Sequence, residues 1–575
     1  MPETPLRVTA RAAPADAVRQ LAATGLHPVV ARLFVARGVA RPDELALQPA
    51  ALLPPEGLAG IDGAARLLAD TIDRGEAIVV VADYDCDGAT ACAAMVRGLR
   101  AMGAVVDYIV PNRFEHGYGL SPEIVELAAR HPRLDRPPAL IVTVDNGIAS
   151  LAGVERAAAL GIAVLVTDHH LPGERLPSAA AIVNPNQPGC GFASKHLAGV
   201  GVAFYVLLAL RAELRARGRF SARPEPALQE LLDLVALGTV ADLVRLDRNN
   251  RILVHAGMRR IRAARAVPGL LALLQVAGRE ARRCVTADLG FAVGPRINAA
   301  GRLQDITVGI ECLLADDPDL AMALAARLDA INRERRQREL QMREQALLDT
   351  QQIGPEAAGV VVRRDDWHEG IIGLVASRLK DRLHRPVFAL APAAGEPGFW
   401  RGSGRSIAGL HLRDALDLVS KRHPDLLTRF GGHAMAAGLS LHVDGIDTFR
   451  AAFDAVVREL ADPTAFERET VTDGPLDSEH IDAALVSAID ACVWGQGFPE
   501  PLFCNEFDVI EQRLLKERHS RLTLRLAGRR LNAIFFDHVA PLGRSARLFY
   551  RLVRDDYRGF DAVQLMIVGV APESL

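Results

Sequence analysis

The chain has 575 residues, half of them hydrophobic and 24% charged, with a formal net charge of −3 at pH 7. That length exceeds a single core and implies three or four domains. No apolar run reaches the roughly 18 residues of a membrane span, and "MPETPLRVTARAAPADAV" lacks the apolar core of a signal peptide. The slight acidity argues against a nonspecific duplex binder but admits a nuclease whose acidic metal site offsets basic groups elsewhere. The seven cysteines form no CxxC pair, which points away from a zinc ribbon or disulfide framework and toward a reduced cytosol.

From about Ala77 to Pro185, apolar runs alternate with helical patterns, with candidate strands at 77–83, 105–110, 139–144, 163–167 and 180–184. The alternation predicts a parallel, doubly wound sheet, which binds ligands beyond the carboxyl ends of its strands. The first strand runs into "VVADYDCDGATA", where Asp83, Asp85 and Asp87 alternate. In an extended chain alternate side chains share a face. Three carboxylates there repel one another unless a cation sits among them, and a hard divalent ion is the simplest candidate. Gly88 is expected to let the chain turn into a helix.

The same pattern recurs. "ALIVTVDNGI" places Asp145 and Asn146 after a strand, and "AVLVTDHHLPG" places Asp168, His169 and His170 after the next. Asp168 is expected either to orient an adjacent imidazole or to cap a turn. "GVGVAFYVLLALRAEL" reads as a buried helix, and "LLDLVALGTVADLV" puts Asp242 inside another, where an unpaired carboxylate is costly.

Residues 316–353 lack Gly and Pro until their end and predict a long helix between two domains, with "RERRQRE" as a solvated face. A second α/β unit follows, with strands near 359–364, 386–391 and 436–442. From about 468, short alternating segments predict a small β-barrel. Its stretch "EQRLLKERHSRLTLRLAGRRL" is strongly basic.

"DYDCDG", "VDNG", "TDHH" and "GTVADLV", in this order and spacing, resemble the DHH phosphoesterase superfamily. "PNRFEHGYGL", "GPRINAAGRL", "WHEGIIGLVASRL", "GSGRSIAGLHLRDAL" and "GGHAMAAG" are similar to its bacterial single-strand-specific DNA exonucleases. The resemblance runs from about residue 30 to the C-terminus. It departs from the family at Gln304, where an acidic residue is common. It implies an N-terminal segment (1–50), a DHH domain (51–315), a connecting helix (316–353), a DHH-associated domain (354–462) and an oligonucleotide-binding (OB) barrel (463–575).

The resemblance also implies roles. Asp145 would bridge two metal ions. Asp87, His169 and Asp242 would complete one site, and Asp85, helped by Asp83 or water, the other. His170 would stand close to the scissile phosphate. Mixed carboxylate and imidazole ligands suit two Mn2+ or Mg2+ ions, with imidazole favouring manganese. Ser403, Arg405 and Ser406 of the "GSGRS" loop, with Arg113 and either Arg296 or Arg302, would recognise a 5′ phosphate. Asn298 is a further substrate-binding candidate, and His433 would contact a phosphate.

The expected function is metal-dependent 5′→3′ degradation of single-stranded DNA to mononucleotides in repair and recombination. The site is expected at the end of a cleft between the two α/β units, too narrow for a duplex. Aromatic residues make up only 5% of the chain, so electrostatics should dominate binding. Phe114, Tyr118, Trp367 and Trp494 are stacking candidates for which core packing is the stronger reading. The alternatives are another phosphoesterase of the superfamily, acting on short oligonucleotides or cyclic dinucleotides, and a non-catalytic DNA-binding scaffold. A helicase and a single-strand-binding protein are partners implied by resemblance. A monomeric, cytoplasmic protein without membrane contact is expected.

Overall fold

Five parallel strands centre the N-terminal half, in the spatial order Val105–Ile109, Ala77–Ala82, Leu140–Val144, Ala163–Thr167 and Ala181–Val183. The computed structural model describes residues 6–111, 119–221, 223–351, 353–354, 356–555 and 562–572. The strands are β-branched and uninterruptedly apolar because helices cover both faces. Val79 and Val81 pack with Ile124, Val125 and Val154 of the helices Pro122–Ala129 and Leu151–Ala159. Their neighbours Ile78 and Val80, equally buried, point the other way, toward the face where Cys86–Ala101 packs on this strand and Gly199–Ala216 on the strands Leu140–Val144 and Ala163–Thr167.

The strand order reverses at Ala77–Ala82. The chain leaves this strand to one side, for Val105–Ile109, and returns to its other side, at Leu140–Val144. Such a switch point opens a crevice at the carboxyl ends of the two flanking strands. Asp83 and Asp145 are the first residues after those two ends. Asn146 ties the ends together, donating from Nδ2 to the carbonyls of Val81 (3.1 Å) and Val144 (2.9 Å).

The chain divides into two compact units. One comprises Ala13–Asn332 with Ser487–Glu500, and the other Met1–Ala12, Arg333–Val486 and Pro501–Leu575. The helix Pro318–Thr350 crosses the division. Its charged stretch is not simply a solvated face. Arg335 is buried and pairs with Glu339 at 2.5 Å, and Arg378 reaches the same carboxylate at 3.2 Å.

The second unit holds a mixed five-stranded sheet, ordered Arg429–Gly432, Ala436–His442, Phe399–Arg405, Val387–Pro392 and Val360–Arg363. The strands Phe399–Arg405 and Arg429–Gly432 are additions to the sequence reading, which took "GSGRS" for a loop. The glycines misled it. A Cβ on Gly402 would meet Leu390 at 2.6 Å, and one on Gly404 would meet Phe388 at 2.4 Å. They make room for larger neighbours within a strand rather than break one.

A closed barrel follows, built from Phe503–Leu515, His519–Leu526, Arg529–Phe535, Val563–Val570 and Ser545–Arg554. The strand Leu6–Ala10, which the sequence reading left without an element, pairs in parallel with Arg468–Thr472.

The return of Ser487–Glu500 to the first unit has an aromatic anchor. Trp494 is buried, stacks on Phe498 with centroids 5.4 Å apart, meets Phe34 edge-on at 5.8 Å and lies under the Arg37 guanidinium. Trp367 is buried too, donating from its indole to Gln345 (2.8 Å). Core packing therefore accounts for both tryptophans. Phe114 and Tyr118 lie outside the described residues. Trp494→Ala should lower stability by about 3–5 kcal/mol, the usual cost of removing a buried aromatic, as read by denaturant unfolding of the full chain. A change below about 1 kcal/mol would show that this segment is not anchored by its aromatic cluster.

Candidate active site

The chain after Ala82 carries the aspartates on three different local structures. Asp83 lies in the turn and accepts from the Tyr84 amide (2.7 Å). Asp85 is the N-cap of Cys86–Ala101 and accepts from the Gly88 amide (3.0 Å). Asp87 sits in the first turn of that helix, fully buried. One face of a single extended strand, the sequence expectation, is thus replaced by a strand end, a cap and a helical turn. Gly88 is helical and forms no turn of its own. It is glycine because a Cβ there would lie 2.4 Å from the Asp83 carbonyl oxygen.

Asp145 follows Val144 with φ of 63°, a left-handed conformation that Asp tolerates better than most residues. Gly199 packs against its side chain so closely that a Cβ would fall 2.5 Å from Asp145 Oδ1. This glycine opens the helix Gly199–Ala216, whose first amides point at Asp87. Gly199 donates at 2.6 Å and Val200 at 3.0 Å. The positive end of the helix therefore faces the aspartates. Asp242 caps the end of Leu232–Ala241 rather than lying inside that helix.

Three sets of side chains converge within 4.8 Å: Asp83, Asp85 and Asp145; Asp87, His169 and Asp242; and Asp145, His169 and His170. His169 Nε2 stands 3.0 Å from Asp145 Oδ1, 3.6 Å from Asp242 Oδ2 and 3.9 Å from Asp87 Oδ2. Both His169 Nε2 and Asp145 Oδ1 are buried without a hydrogen-bond partner, because the alignment of the 3.0 Å approach does not make one. Orphaned buried polar atoms are costly. Two of them within a cluster of five carboxylates fit a divalent cation and little else.

The electrostatics agree. Burial, with Asp85 second, pushes the Asp87 carboxyl up to about 7 against the opposing amides of Val200 and Gly199. Burial and then the neighbouring aspartates raise Asp145 and Asp242 as well. Burial first, then His170, brings His169 down to about 4. His169 is thus a neutral ring with a lone pair to offer.

Asp168 does both things expected of it. It caps the turn, accepting from the Ile148 amide (2.9 Å) and the His169 amide (2.7 Å), and it holds His170 Nδ1 at 2.8 Å. Burial favours a neutral His170, but the Asp168 hydrogen bond and the carboxylates of Asp83 and Asp85 outweigh it and raise its pKa.

The other candidates fare differently. Asn298 Oδ1 accepts from the Cys86 amide (2.7 Å) and so fixes the aspartate turn. Arg296 is buried, bound to Asp329 at 2.9 Å and to the Ala292 carbonyl at 2.6 Å. A phosphate would have to displace both. Arg302 is half-buried on the same helix, Gly294–Leu303. Arg113 lies outside the described residues.

In the second unit, the Arg405 guanidinium is half-buried and makes no ion pair among the described residues, and burial lowers its pKa. It donates to Ser403 Oγ (3.2 Å) and the Gly404 carbonyl (2.8 Å). A Cβ on Gly373 would meet Ser403 Oγ at 2.8 Å and Arg405 Nη2 at 3.1 Å. Gly373 stands in the first turn of Ile372–Leu383, so the positive end of a helix adjoins this half-buried cation. The sequence reading quoted "WHEGIIG" without assigning it this part. The one available signal was its glycine pair ahead of an apolar helix.

Ser406 does not join the pocket. Its hydroxyl is buried and donates to the Leu410 carbonyl (2.9 Å). His433 is exposed on the neighbouring hairpin, next to Arg405 through the pairing of Ala436 with that residue.

Three family descriptions match the chain: the DHH family N-terminal domain over residues 77–239, the DHHA1 domain over 356–459 and the RecJ OB domain over 472–569. The single-stranded-DNA-specific exonuclease RecJ of Escherichia coli is 47% identical over 95% of this chain and 96% of its own. The chain belongs to the RecJ family. The RecJ of Thermus thermophilus is 35% identical over 89% of this chain and 71% of its own length. The crystal structure of Thermus thermophilus RecJ with Mn2+ superposes with a TM-score of 0.82 at 32% identity, covering 100% of this chain and 81% of that one. A manganese-bound exonuclease RecJ gives 0.60 at 36% identity, covering 72% and 98%. A Mg2+ complex of the Thermus protein is also similar. RecJ proteins thus hold both metals that the ligand chemistry favoured.

Metal binding should release protons, because ligand carboxylates must be ionised to bind. Apparent Mn2+ affinity should rise at least tenfold from pH 6 to pH 8, as Asp87 with its pKa of about 7 deprotonates, in titration calorimetry across buffers of different ionisation enthalpy. In metal-free protein the sign is opposite. A raised carboxyl stabilises the fold fully below about pH 4 and loses that contribution as pH rises through 7. Manganese should therefore raise Tm more at pH 8 than at pH 6. A pH-independent affinity would contradict the ligand set.

Proposed function

We propose that this chain is a metal-dependent exonuclease that degrades single-stranded DNA from the 5′ end and releases mononucleotides in DNA repair and recombination. The observation that carries the proposal is the ligand cluster itself. Asp145 joins the Asp83–Asp85 set to the histidines and His169 joins it to Asp87 and Asp242, so the three sets form one cluster at the carboxyl ends of the parallel strands in a chain of the RecJ family.

Asp83, Asp85 and Asp145 would hold one ion, and Asp87, His169, Asp242 and Asp145 the other. Two such ions supply an activated water and neutralise charge on the phosphoryl oxygens. The chain's own contribution is positional. Gly199 and Val200 fix both oxygens of Asp87, and Asn298 fixes the turn that carries Asp83 and Asp85. Asp168 aims His170, which would face the scissile phosphate.

Arg405, Ser403 and the start of Ile372–Leu383 would take the terminal 5′ phosphate. An internal phosphodiester carries less charge and gains less from a half-buried guanidinium. His433, on the adjoining hairpin, would contact a phosphate from outside this pocket.

The barrel supports a polymeric substrate over a cyclic dinucleotide. Arg513 faces Arg521 across one strand pair, and Arg525 faces Arg530 across the next. Like charges directly opposite destabilise a sheet, so an anionic ligand would relieve them. Arg513 and Arg525 are balanced by Glu511 and Asp508, while exposed Lys516, Arg521 and Arg530 make no ion pair among the described residues. The complete ligand set speaks against a non-catalytic scaffold. No helix among the described residues is long and apolar enough to cross a membrane. A helicase and a single-strand-binding protein as partners, with a monomeric cytoplasmic enzyme, complete the proposal.

The test is digestion of a long 5′-phosphorylated strand with and without manganese. The wild type should degrade it to mononucleotides only with metal. Asp145→Ala should abolish hydrolysis, since one carboxylate serves both ions, while strand binding survives. A tenth of wild-type turnover at saturating manganese would rule out the bridging role.

Arg405→Ala should damage end recognition more than chemistry. Loss of one charge-assisted contact costs about 1.5–3 kcal/mol, roughly a ten- to hundredfold fall in kcat/KM. The fall should appear with 5′-phosphorylated strands and shrink with 5′-hydroxyl ones. An equal loss on both would remove Arg405 from the end pocket.

A further inference from the structure

The three most exposed large apolar side chains among the described residues, Phe291 at 73%, Leu171 at 66% and Leu243 at 61%, lie on segments that carry or pack against metal-ligand candidates. Leu171 follows His170, and Leu243 follows Asp242. Phe291 rides on a single π-helical turn, Leu289–Val293, that packs on the end of the helix carrying Asp242. A Cβ on Gly290 would touch Val240 Cγ1 at 3.4 Å, and one on Gly294 would touch Ala241 Cβ at 3.1 Å.

Each of these placements is held against a cost. π-turns are rare and concentrate at functional sites. This one is pinned from below: Leu289 and Val293 are fully buried, and Arg296, anchored on Asp329, donates to the Ala292 carbonyl. Leu243 has φ of 60°, a conformation a branched aliphatic residue rarely adopts and one that persists only where its surroundings impose it. Bare apolar surface beside a strongly charged centre is unfavourable in water. A ligand with charge on one side and an apolar face on the other resolves the conflict.

We propose that Phe291, together with the exposed Leu243 and Leu171 that follow Asp242 and His170, forms a shelf for the nucleobase next to the scissile phosphate. The inference rests on the exonuclease reading of the adjoining metal site. A strand whose phosphate sits at the ligands carries its bases a few ångströms away, and every base offers a π-face regardless of sequence. In a duplex that face is covered by stacked neighbours, whereas in a single strand it is free. The shelf therefore selects unstacked bases at the point of cleavage, a selection for single strands that needs no narrow passage. Phe291 is a substrate-positioning residue in this scheme, without a part in the chemical step.

The experiment compares wild type, Phe291→Ala and Phe291→Trp on a 5′-phosphorylated single strand and on the same strand with abasic residues at its first three positions. On the normal strand Phe291→Ala should raise KM about tenfold, the cost of one lost base stack. Its kcat should change less than twofold and its Mn2+ affinity not at all. Phe291→Trp should restore KM. On the abasic strand wild type and Phe291→Ala should have equal KM. An unchanged KM on the normal strand, or an equal rise on both strands, overturns the shelf while leaving the exonuclease reading intact. A wild type that degrades neither strand overturns both.

Discussion

Uncompensated negative charge at the switch point of the parallel sheet is the constraint from which the rest of the first unit follows. Burial raises the pKa of Asp87, Asp145 and Asp242, and the neighbouring carboxylates, that of Asp85 among them, raise it further. The fold tolerates this because fixed dipoles are aimed at the cluster. The opening amides of Gly199–Ala216 bind both Asp87 oxygens, and the Gly88 amide in the first turn of Cys86–Ala101 binds Asp85. Neither helix could approach so closely with a side chain at Gly199 or Gly88. The glycines, the two helix starts and the left-handed Asp145 are one device for bringing carboxylates nearer than they would settle alone. Protonation relieves the repulsion at low pH and a divalent ion relieves it at neutral pH, so the metal is part of the structure of this site as well as of its chemistry.

Legibility from sequence followed the physics. The parallel strands were plain because burial on both faces demands an uninterrupted apolar run, and the predicted limits fall within a residue or two of the observed ones. The aspartates were plain because a carboxylate at the end of a buried strand has no structural reason to be there. Their mutual arrangement was not, since period-two alternation looks the same whether the chain stays extended or breaks into cap and helix, as it does at Asp85. The strand Phe399–Arg405 was hidden by Gly402 and Gly404, whose missing side chains are supplied from Leu390 and Phe388, residues local reasoning cannot see. Arg296 and Ser406 stand inside motifs that read as phosphate-binding, yet both are occupied by long-range or backbone partners. An arginine's availability depends on which carboxylate folds beside it, here Asp329, 33 positions away.

The net charge of −3 conceals two opposite local excesses. One unit buries carboxylates without enough cations. The other half-buries Arg405 without an ion pair among the described residues and faces arginines across adjacent barrel strands. Neither arrangement would survive selection for stability alone, because a buried unpaired charge is among the costliest features a fold can carry. A polyanion with bound divalent ions supplies what each lacks. In the proposed function its metal-coordinated phosphate would complete the carboxylate cluster, and its other phosphates would neutralise the arginines. On that proposal the free protein is destabilised where substrate would contribute most, which would concentrate binding energy on the phosphates. Apolar surface left bare beside the ligands, at Phe291 and Leu243, extends the same logic to the uncharged part of the nucleotide, and only a strand with unstacked bases satisfies both demands together.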